Sequence, residues 1–246
     1  MKPVLPFIMA GSPSLERLPA LLAEAAALGL EAIEVGLPHS DPIADGPVLQ
    51  AAAQRAIARG VTPVQVLECL ARCPSSPSVI LFSYFNPLLQ LGTGRLIALL
   101  RPTPVRSLLI VDLPHGEEAE FERELRAAGY PLVPLLAPTT SLDRAMRLLQ
   151  ERPDPGPSVP FAQRFAYVVA RLGVTGAAGA PDLGLVRDRL AALRKITGRP
   201  LTVGFGLADA VSLESVRAMG AVPVVGSAVV AALYEGKSLR AALHAE

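Results

Sequence analysis

The chain has 246 residues, of which 51% are hydrophobic and 18% are charged, and its formal net charge is +1. This length and apolar content allow one large domain or two small ones with a substantial core, and they exclude an intrinsically disordered chain. The near-neutral charge, the lack of blocks of like charge and the absence of Trp argue against nucleic acid or an anionic membrane as the main partner.

The cysteines, Cys69 and Cys73, lie four residues apart in a helix-like segment, with no second pair to complete a zinc site. We interpret them as small apolar helix residues, with redox sensitivity as the weaker alternative. The N-terminal segment lacks the long apolar core of a signal peptide, and no uninterrupted apolar run approaches the length of a membrane span. A cytoplasmic protein is therefore expected.

Strand-like apolar runs alternate with helix-like segments along the whole chain. The predicted strands are Val4–Ala10, Ala32–Val35, Ser78–Tyr84, Ser107–Leu113, Leu132–Ala137, Phe165–Ala170, Leu201–Phe205 and Val222–Val225. The predicted helices cover about Glu16–Gly29 with Ser14 as N-cap, Val48–Gly60, a short segment after Thr62, Thr93–Leu100, Glu117–Ala128, Leu142–Glu151, Leu183–Ile196, Asp209–Met219 and the C-terminal end. The Pro-rich segment 152–160 is predicted to be a loop.

Eight strand-like runs, each followed by a helix-like segment, define the expected fold. Continuous apolar strands are typical of a parallel sheet with both faces covered. Eight βα units in about 250 residues predict a (β/α)8 TIM barrel that forms one domain over residues 1–246. An open doubly wound sheet is the alternative.

A carboxylate inside the second predicted strand is the first candidate for chemistry. Glu34 lies in the apolar run AIEV, and the loop after it supplies Asp41 and Asp45. A carboxylate in an apolar run costs several kcal/mol unless it is paired, hydrogen-bonded or neutral. Glu34 is therefore either a structural acid satisfied by its surroundings or part of a site with shifted pKa values.

In a βα barrel, the active site forms at the C-terminal ends of the strands. The candidates there are Gly11, Ser12, Glu34, Asp41, Asp45, Tyr84, Asn86, Asp112, Thr139, Tyr167, Arg171, Thr175, Gly204, Phe205, Gly206, Gly226 and Ser227. The groups after strands seven and eight can point backbone N–H groups at an anion, and the following helix adds its positive end. A small phosphorylated metabolite is therefore the expected substrate class.

The residues that are missing narrow the chemistry further. None of the lysines, Lys2, Lys195 and Lys237, lies at the C-terminal end of a strand, so a Schiff-base mechanism lacks its nucleophile. The histidines, His39, His115 and His244, do not supply a convincing metal cluster. Carboxylate acid–base chemistry remains, with Glu34 and Asp45 as the leading pair.

The other Asp, His and Tyr residues near the strand ends also have structural interpretations. Asp112 is interpreted as a structural or loop-anchoring acid, and His39 as a solvent-facing loop residue. Tyr84 and Tyr167 either line an aromatic-binding pocket or fill layers of the barrel core.

The stretch EVGLPHSDPIADGP resembles the signature of the tryptophan synthase alpha subunit family. The similarity continues in the same order through SYFNPLLQLG, LIVDLP, ARLGVTG, GFG and GSAVV, and covers nearly the whole chain. The resemblance implies a (β/α)8 lyase of L-tryptophan biosynthesis. It would cleave indole-3-glycerol phosphate to indole and glyceraldehyde 3-phosphate by a retro-aldol reaction that uses neither metal nor organic cofactor.

The resemblance also implies a role for individual residues. Glu34 corresponds to the catalytic glutamate that moves protons, and Asp45 to the aspartate that accepts from the indole N–H. The implied substrate contacts are Phe7, Tyr84, Tyr167 and Thr175, and the implied phosphate-binding residues are Gly176, Gly204, Gly206, Gly226 and Ser227. Arg171 falls on the mobile loop that closes the site, where Thr175 contacts the catalytic aspartate.

The implied partner is a pyridoxal-phosphate-containing beta subunit, in an alpha2beta2 complex. Asp41 and Pro42 fall in the loop that meets this subunit in the family, and indole passes to it through a tunnel.

The chain departs from the family pattern at several places. The helix that usually precedes the first strand is not predicted here, and its loss would expose the N-terminal face of the barrel unless another surface covers it. Ser12 replaces a common Asp, His39 replaces a common aromatic residue, and Ala170 stands where Ser is frequent.

These departures bear on loop closure and on coupling to a beta subunit more than on the reaction. Three alternative functions stay open. One is a stand-alone lyase that releases free indole, and another is a catalytically weak allosteric subunit of the beta enzyme. The third is a different phosphate-binding barrel enzyme.

Overall fold

A computed structural model describes residues 2–73, 76–151, 154–171, 182–204 and 210–244, with the side chain of His244 left out. Its strands form one parallel, eight-stranded sheet with the order β4-β3-β2-β1-β8-β7-β6-β5. The strands are β1 Leu5–Met9, β2 Ala32–Gly36, β3 Ser78–Ser83, β4 Val105–Ile110, β5 Leu135–Leu136, β6 Ala166–Val169, β7 Leu201–Gly204 and β8 Val222–Val225.

The sheet closes between β4 and β5 through a short backbone contact. Leu108 pairs with Leu132 as a parallel bridge, and the Val133 N–H donates to the Leu108 carbonyl oxygen at 2.8 Å. The predicted (β/α)8 barrel is therefore confirmed. Strand five is shorter than its predicted span, Leu132–Ala137, because Pro131 and Pro134 have no N–H to donate to a ladder.

Helices surround this sheet in the predicted order, and two helices that the sequence analysis did not predict, α4 (Phe85–Leu91) and α8 (Phe161–Arg164), are added to them. Their bounds are α1 Leu18–Ala27, α2 Pro47–Ala58, α3 Pro63–Ala71, α4 Phe85–Leu91, α5 Thr93–Leu100, α6 Ala119–Ala127, α7 Leu142–Glu151, α8 Phe161–Arg164, α9 Leu183–Arg194, α10 Ala210–Ala218, α11 Ser227–Tyr234 and α12 Leu239–His244. Within the described ranges, none is both long and apolar enough to span a membrane.

The predicted start of the first helix is wrong in its detail. Ser14 makes no side-chain capping bond, and a 3-10 turn over Leu15–Arg17 precedes α1. Pro19 occupies the first turn of α1, where its missing N–H needs no partner, so the α-helix begins at Leu18. By contrast, Thr62 caps α3 through a capping box with Gln65.

Alternate side chains of the strands fill the inside of the barrel. Leu5, Phe7 and Met9 of β1 belong to the inner apolar cluster, whereas Ile8 joins the cluster between the strands and the helices. Ala32 of β2 also belongs to the inner cluster, so Glu34, two residues further on, points to the same side. The fold thus carries one carboxylate on the inner face of β2.

A short helix that the sequence analysis did not predict covers part of the N-terminal end of the barrel. Ala162 of α8 is fully buried in the inner cluster, and its carbonyl oxygen accepts from the Ser107 hydroxyl of β4. The Phe161 N–H donates to Glu31 Oε1, just before β2, at 3.2 Å. These contacts place α8 over part of the barrel end whose exposure the sequence analysis predicted.

Candidate functional site

Glu34 is a buried carboxylate on the inner face of β2. It is 1% exposed, and its Oε1 atom has no hydrogen-bond partner among the described residues. Burial raises the pKa of Glu34 from 4.5 to about 8, since an apolar surrounding disfavours the charged form. Glu34 therefore carries its proton near neutral pH and can donate it.

Asp45 lies in the loop between β2 and α2 and is also 1% exposed. Burial raises the pKa of its carboxyl group to about 6, and a hydrogen bond from the Tyr84 hydroxyl acts in the opposite direction. The backbone of the loop is fixed on both sides, because the Asp45 N–H donates to the Pro42 carbonyl oxygen and Gln50 Nε2 donates to the Asp45 carbonyl oxygen. Asp45 is therefore mostly ionised at neutral pH and is held in one place.

Tyr167 of β6 lies close enough to both acids for their charges to act on its hydroxyl. Its side chain is 3% exposed, and burial together with the charges of Glu34 and Asp45 raises its pKa well above the ordinary value. Gly204 of β7 makes room for this ring, because a Cβ there would lie 1.9 Å from the Tyr167 hydroxyl oxygen. These four residues therefore share one region inside the barrel.

Phe7 of β1 forms the apolar part of the same region. Its ring contacts Phe82 of β3 edge-to-face, with centroids 5.1 Å apart. A Cβ on Gly36 would lie 2.4 Å from the Phe7 ring, so a glycine is needed at the end of β2. The aromatic ring and the acids together offer a surface for a flat, apolar substrate with one polar edge.

The predicted phosphate-binding residues are described in part. Gly204 ends β7, Gly226 is the N-cap of α11, and Ser227 is the first residue of that helix. Gly226 lies behind Phe7, since a Cβ there would contact the Phe7 Cβ at 3.6 Å. The predictions for Thr175, Gly176 and Gly206 lie outside the described residues.

The predicted interface and loop residues differ in exposure. Asp41 is exposed and Pro42 is buried, whereas the next residue, Ile43, is 66% exposed and was not singled out from the sequence. Arg171 is half-buried and directly precedes residues outside the described ranges, so its mobile-loop role stays a prediction.

His39 and Asp112 have partners that the sequence did not reveal. His39 is half-buried and stacks on Tyr84 with ring centroids 4.9 Å apart, so its ring has a packing partner that the interpretation as a solvent-facing residue did not include. Asp112 Oδ1 accepts from the Phe85 N–H at 2.7 Å, as its loop-anchoring interpretation requires. Both contacts join residues distant in sequence, and composition or periodicity cannot find such contacts.

The arrangement is suited to moving protons on an apolar substrate. A protonated acid and an ionised acid face one aromatic-lined region, and their pKa values lie on opposite sides of neutrality. Within the described ranges, no three His, Cys, Asp or Glu side chains cluster as metal ligands.

Comparison with known proteins identifies the family. The sequence profile described as "Tryptophan synthase alpha chain" matches residues 2–245. The chain is 38% identical over 244 residues to the tryptophan synthase alpha chain of Xanthomonas axonopodis pv. citri, covering 98% of this chain and 87% of the relative. It is also 38% identical to the alpha chain of a Synechococcus strain over 230 residues, covering 92% of this chain and 81% of the relative.

Solved structures agree with the sequence comparison. The tryptophan synthase complex of Pyrococcus furiosus matches with a TM-score of 0.80 at 28% identity, over 98% of this chain and 95% of that chain. The alpha subunit from Campylobacter jejuni matches in fold with a TM-score of 0.81 at 24% identity, over 99% of this chain and 94% of that chain. Given the profile match over nearly its whole length and the 38% identity to relatives, the chain belongs to the tryptophan synthase alpha chain family.

Proposed function

We propose that this chain cleaves indole-3-glycerol phosphate to indole and glyceraldehyde 3-phosphate, with Glu34 as the proton carrier and Asp45 as the acceptor for the indole N–H. The observation that carries the proposal is the pair of buried carboxylates with pKa values of about 8 and about 6 in one aromatic-lined region. Family membership supplies the substrate class and the reaction type.

The protonation states match the order of the chemical steps. Glu34 is protonated in the resting site and donates its proton to C3 of the indole ring, which forms the N-protonated indolenine cation. The ionised Asp45 accepts a hydrogen bond from the indole N–H and stabilises the positive charge that develops on that nitrogen.

Cleavage then gives Glu34 a different proton, while the donated proton stays on C3 of the indole. The Glu34 carboxylate removes the proton of the side-chain hydroxyl next to the ring, and the bond between C3 and the side chain breaks as the aldehyde forms. The bonding electron pair flows into the ring and restores the indole. Atoms and charge therefore balance with one residue acting first as acid and then as base.

The remaining residues are assigned by position. Phe7, Tyr84 and Tyr167 line the region around the two acids, and Phe7 and Tyr167 present ring surface to the indole. Gly204, Gly226 and Ser227, with Gly176 and Gly206, are proposed to hold the phosphate. The first turn of α11 supports this assignment, since its leading backbone N–H groups have no partner within the helix. Thr175 and Arg171 are proposed to act in closing the site.

A beta subunit is the proposed partner, in an alpha2beta2 assembly. The loop after β2 ends in the ionised residue of the site, and it presents Asp41 and the largely exposed Ile43 to the outside. On α4, which begins beside Tyr84, Leu89 is 54% exposed. Exposed apolar side chains of this kind are suited to burial against another protein.

An indole-release assay tests this function. The purified chain should form indole from indole-3-glycerol phosphate, and Glu34→Gln should lower kcat by about 10²-fold or more, because the proton donor and acceptor is lost. Glu68→Gln, on the exposed face of α3, is the matched control and should retain the wild-type rate. Near-normal turnover by Glu34→Gln would end the assignment.

Adding a beta subunit separates the alternatives. A tryptophan synthase alpha chain should bind it in gel filtration and form indole faster in the complex. A stand-alone lyase predicts no complex and no activation. A catalytically weak allosteric subunit predicts a changed beta reaction with indole formation at background.

A further inference from the structure

Asp112 acts on a helix that belongs to a different βα unit. It follows β4, and its Oδ1 atom accepts from the N–H of Phe85, the first residue of α4, at 2.7 Å. The N-cap residue of α4, Tyr84, provides no side-chain acceptor of its own. Asp112 therefore supplies from another strand the cap that the first turn of this helix lacks.

The capped junction carries the side chain that contacts Asp45. Tyr84 is 2% exposed, and its hydroxyl accepts from the Ala44 N–H at 3.0 Å while donating to the Asp45 carboxylate. In the same peptide group as the Phe85 N–H, the Tyr84 carbonyl oxygen accepts from the Ser83 hydroxyl at 2.7 Å. Both polar groups of the peptide that follows the Tyr84 Cα are thus hydrogen-bonded.

We propose that Asp112 is a positioning residue for the indole-forming reaction: its cap on α4 holds the Tyr84 hydroxyl against the Asp45 carboxylate. The expected effect on catalysis rests on the proposed function. The expected effect on the Tyr84–Asp45 hydrogen bond does not depend on which reaction the chain catalyses. Asp112 is exposed, so its replacement leaves no buried charge and does not threaten the fold.

Several ionisable groups surround this hydroxyl and must be separated in the test. Asp45 and Asp112 both act on the charge state of Tyr84, His39 stacks on its ring, and Glu34 acts together with Asp45 on Tyr167. Asp112 can therefore influence Asp45 in two ways, through the cap or through its negative charge.

The two routes predict opposite signs. Loss of the cap weakens the Tyr84 hydrogen bond, which favours the ionised form of Asp45, so the pKa of Asp45 rises. Loss of the charge alone relieves repulsion between two carboxylates, so the pKa of Asp45 falls. Asp112→Ala removes cap and charge together, whereas Asp112→Asn removes the charge and keeps an acceptor oxygen.

The experiment measures the pKa of Asp45 twice for each variant. One measurement is the acid limb of kcat/KM for indole formation, and the other is a ¹³C NMR titration of the aspartate carboxyls without substrate, assigned with Asp45→Asn. Tyr84→Phe should raise the pKa of Asp45 by about one unit. Asp112→Ala should raise it by less than Tyr84→Phe does, with a lower kcat, and Asp112→Asn should leave it at or below the wild-type value.

Matched controls isolate the effect. Tyr130→Phe, near the start of the β5 region, and Asp188→Ala, on the exposed face of α9, should not move either measurement. The inference is overturned if Asp112→Ala leaves the pKa of Asp45 unchanged or lowers it, or if Asp112→Asn raises it as much as Asp112→Ala does. A chain that forms no indole would refute the proposed function. The NMR titration needs no substrate, so it would still show whether Asp112 affects the pKa of Asp45.

Discussion

Replacing Glu34 by Gln is expected to change how the stability of the protein depends on pH. The folded-state pKa of Glu34, about 8, lies above its ordinary value of 4.5. The folded protein therefore binds this proton more tightly than the unfolded chain does. This contribution to the free energy of unfolding is fully present below the unfolded-state pKa and is lost as pH rises through the folded-state pKa.

The size of the effect follows from the two pKa values. Each pKa unit corresponds to about 1.4 kcal/mol, so the Glu34 contribution falls by about 3 kcal/mol between about pH 5 and pH 8. Gln cannot ionise and lacks this dependence. Its amide N–H groups also need partners, and Glu34 Oε1 has none among the described residues, which costs about 1–3 kcal/mol at every pH. This cost is the same at every pH, so it does not affect how the difference in free energy of unfolding between the two proteins changes with pH.

Urea denaturation of the wild type and Glu34→Gln at several pH values is the assay. The difference in free energy of unfolding should shift in favour of Glu34→Gln by about 3 kcal/mol from about pH 5 to pH 8. Glu68→Gln, exposed on α3, serves as the control and should give a nearly constant difference from the wild type. A constant difference for Glu34→Gln as well would refute the raised pKa, and with it the assignment of Glu34 as an acid.

Three further outcomes are expected. The profile of kcat/KM for indole formation should be bell-shaped, falling below about pH 6 as Asp45 takes up a proton and above about pH 8 as Glu34 loses one; a flat profile across this range would contradict the acid–base pair. Gly204→Ala should lower the free energy of unfolding by about 1–3 kcal/mol through the clash with Tyr167. Adding Tyr167→Leu to this variant should recover part of that loss, so strictly additive effects of the two substitutions in urea denaturation would exclude the clash. Phe161→Ala should cost about 1–3 kcal/mol in the same assay yet keep kcat/KM near the wild-type value, since α8 lies at the end of the barrel opposite the site; a large loss of activity would refute that separation.

Apolar runs predicted the strands well where backbone pairing and burial coincide. The eighth strand has the predicted bounds, Val222–Val225. The fourth begins earlier than Ser107, at Val105, because the exposed Arg106 interrupts the apolar run at a register shift: Val105 pairs with Val79 and Ser107 with Ile80. The strand ends at Ile110, although the next N–H, that of Val111, still donates to the Ser83 carbonyl oxygen of β3 at 3.1 Å. Hydrophobicity records burial, whereas strand bounds depend on hydrogen bonding, and the two separate at strand ends.

The contents of the candidate site were predictable, but its contacts were not. An acid in an apolar run marked Glu34, and the motif around it marked Asp45. The bond between the Ala44 N–H and the Tyr84 hydroxyl joins residues 40 apart in sequence, so no local pattern indicates it. The short helix α8 was not predicted for a different reason: its four residues are too few to show a helical period.

The different surroundings of the two carboxylates explain their different protonation states. Both are 1% exposed, so burial alone would push both toward the neutral form. Burial is the cause that acts on Glu34, which is fixed on a strand, whereas Asp45 lies on a loop and gains a hydrogen bond from Tyr84. The proton donor Glu34 is therefore part of the sheet, whereas the ionisation of Asp45 depends on the conformation of its loop. A partner that contacts Asp41 and Ile43 would act on the same loop, so it would alter the hydrogen bond and ionisation of Asp45 before it altered Glu34. Such a partner should move the acid limb of the pH profile and leave the alkaline limb in place.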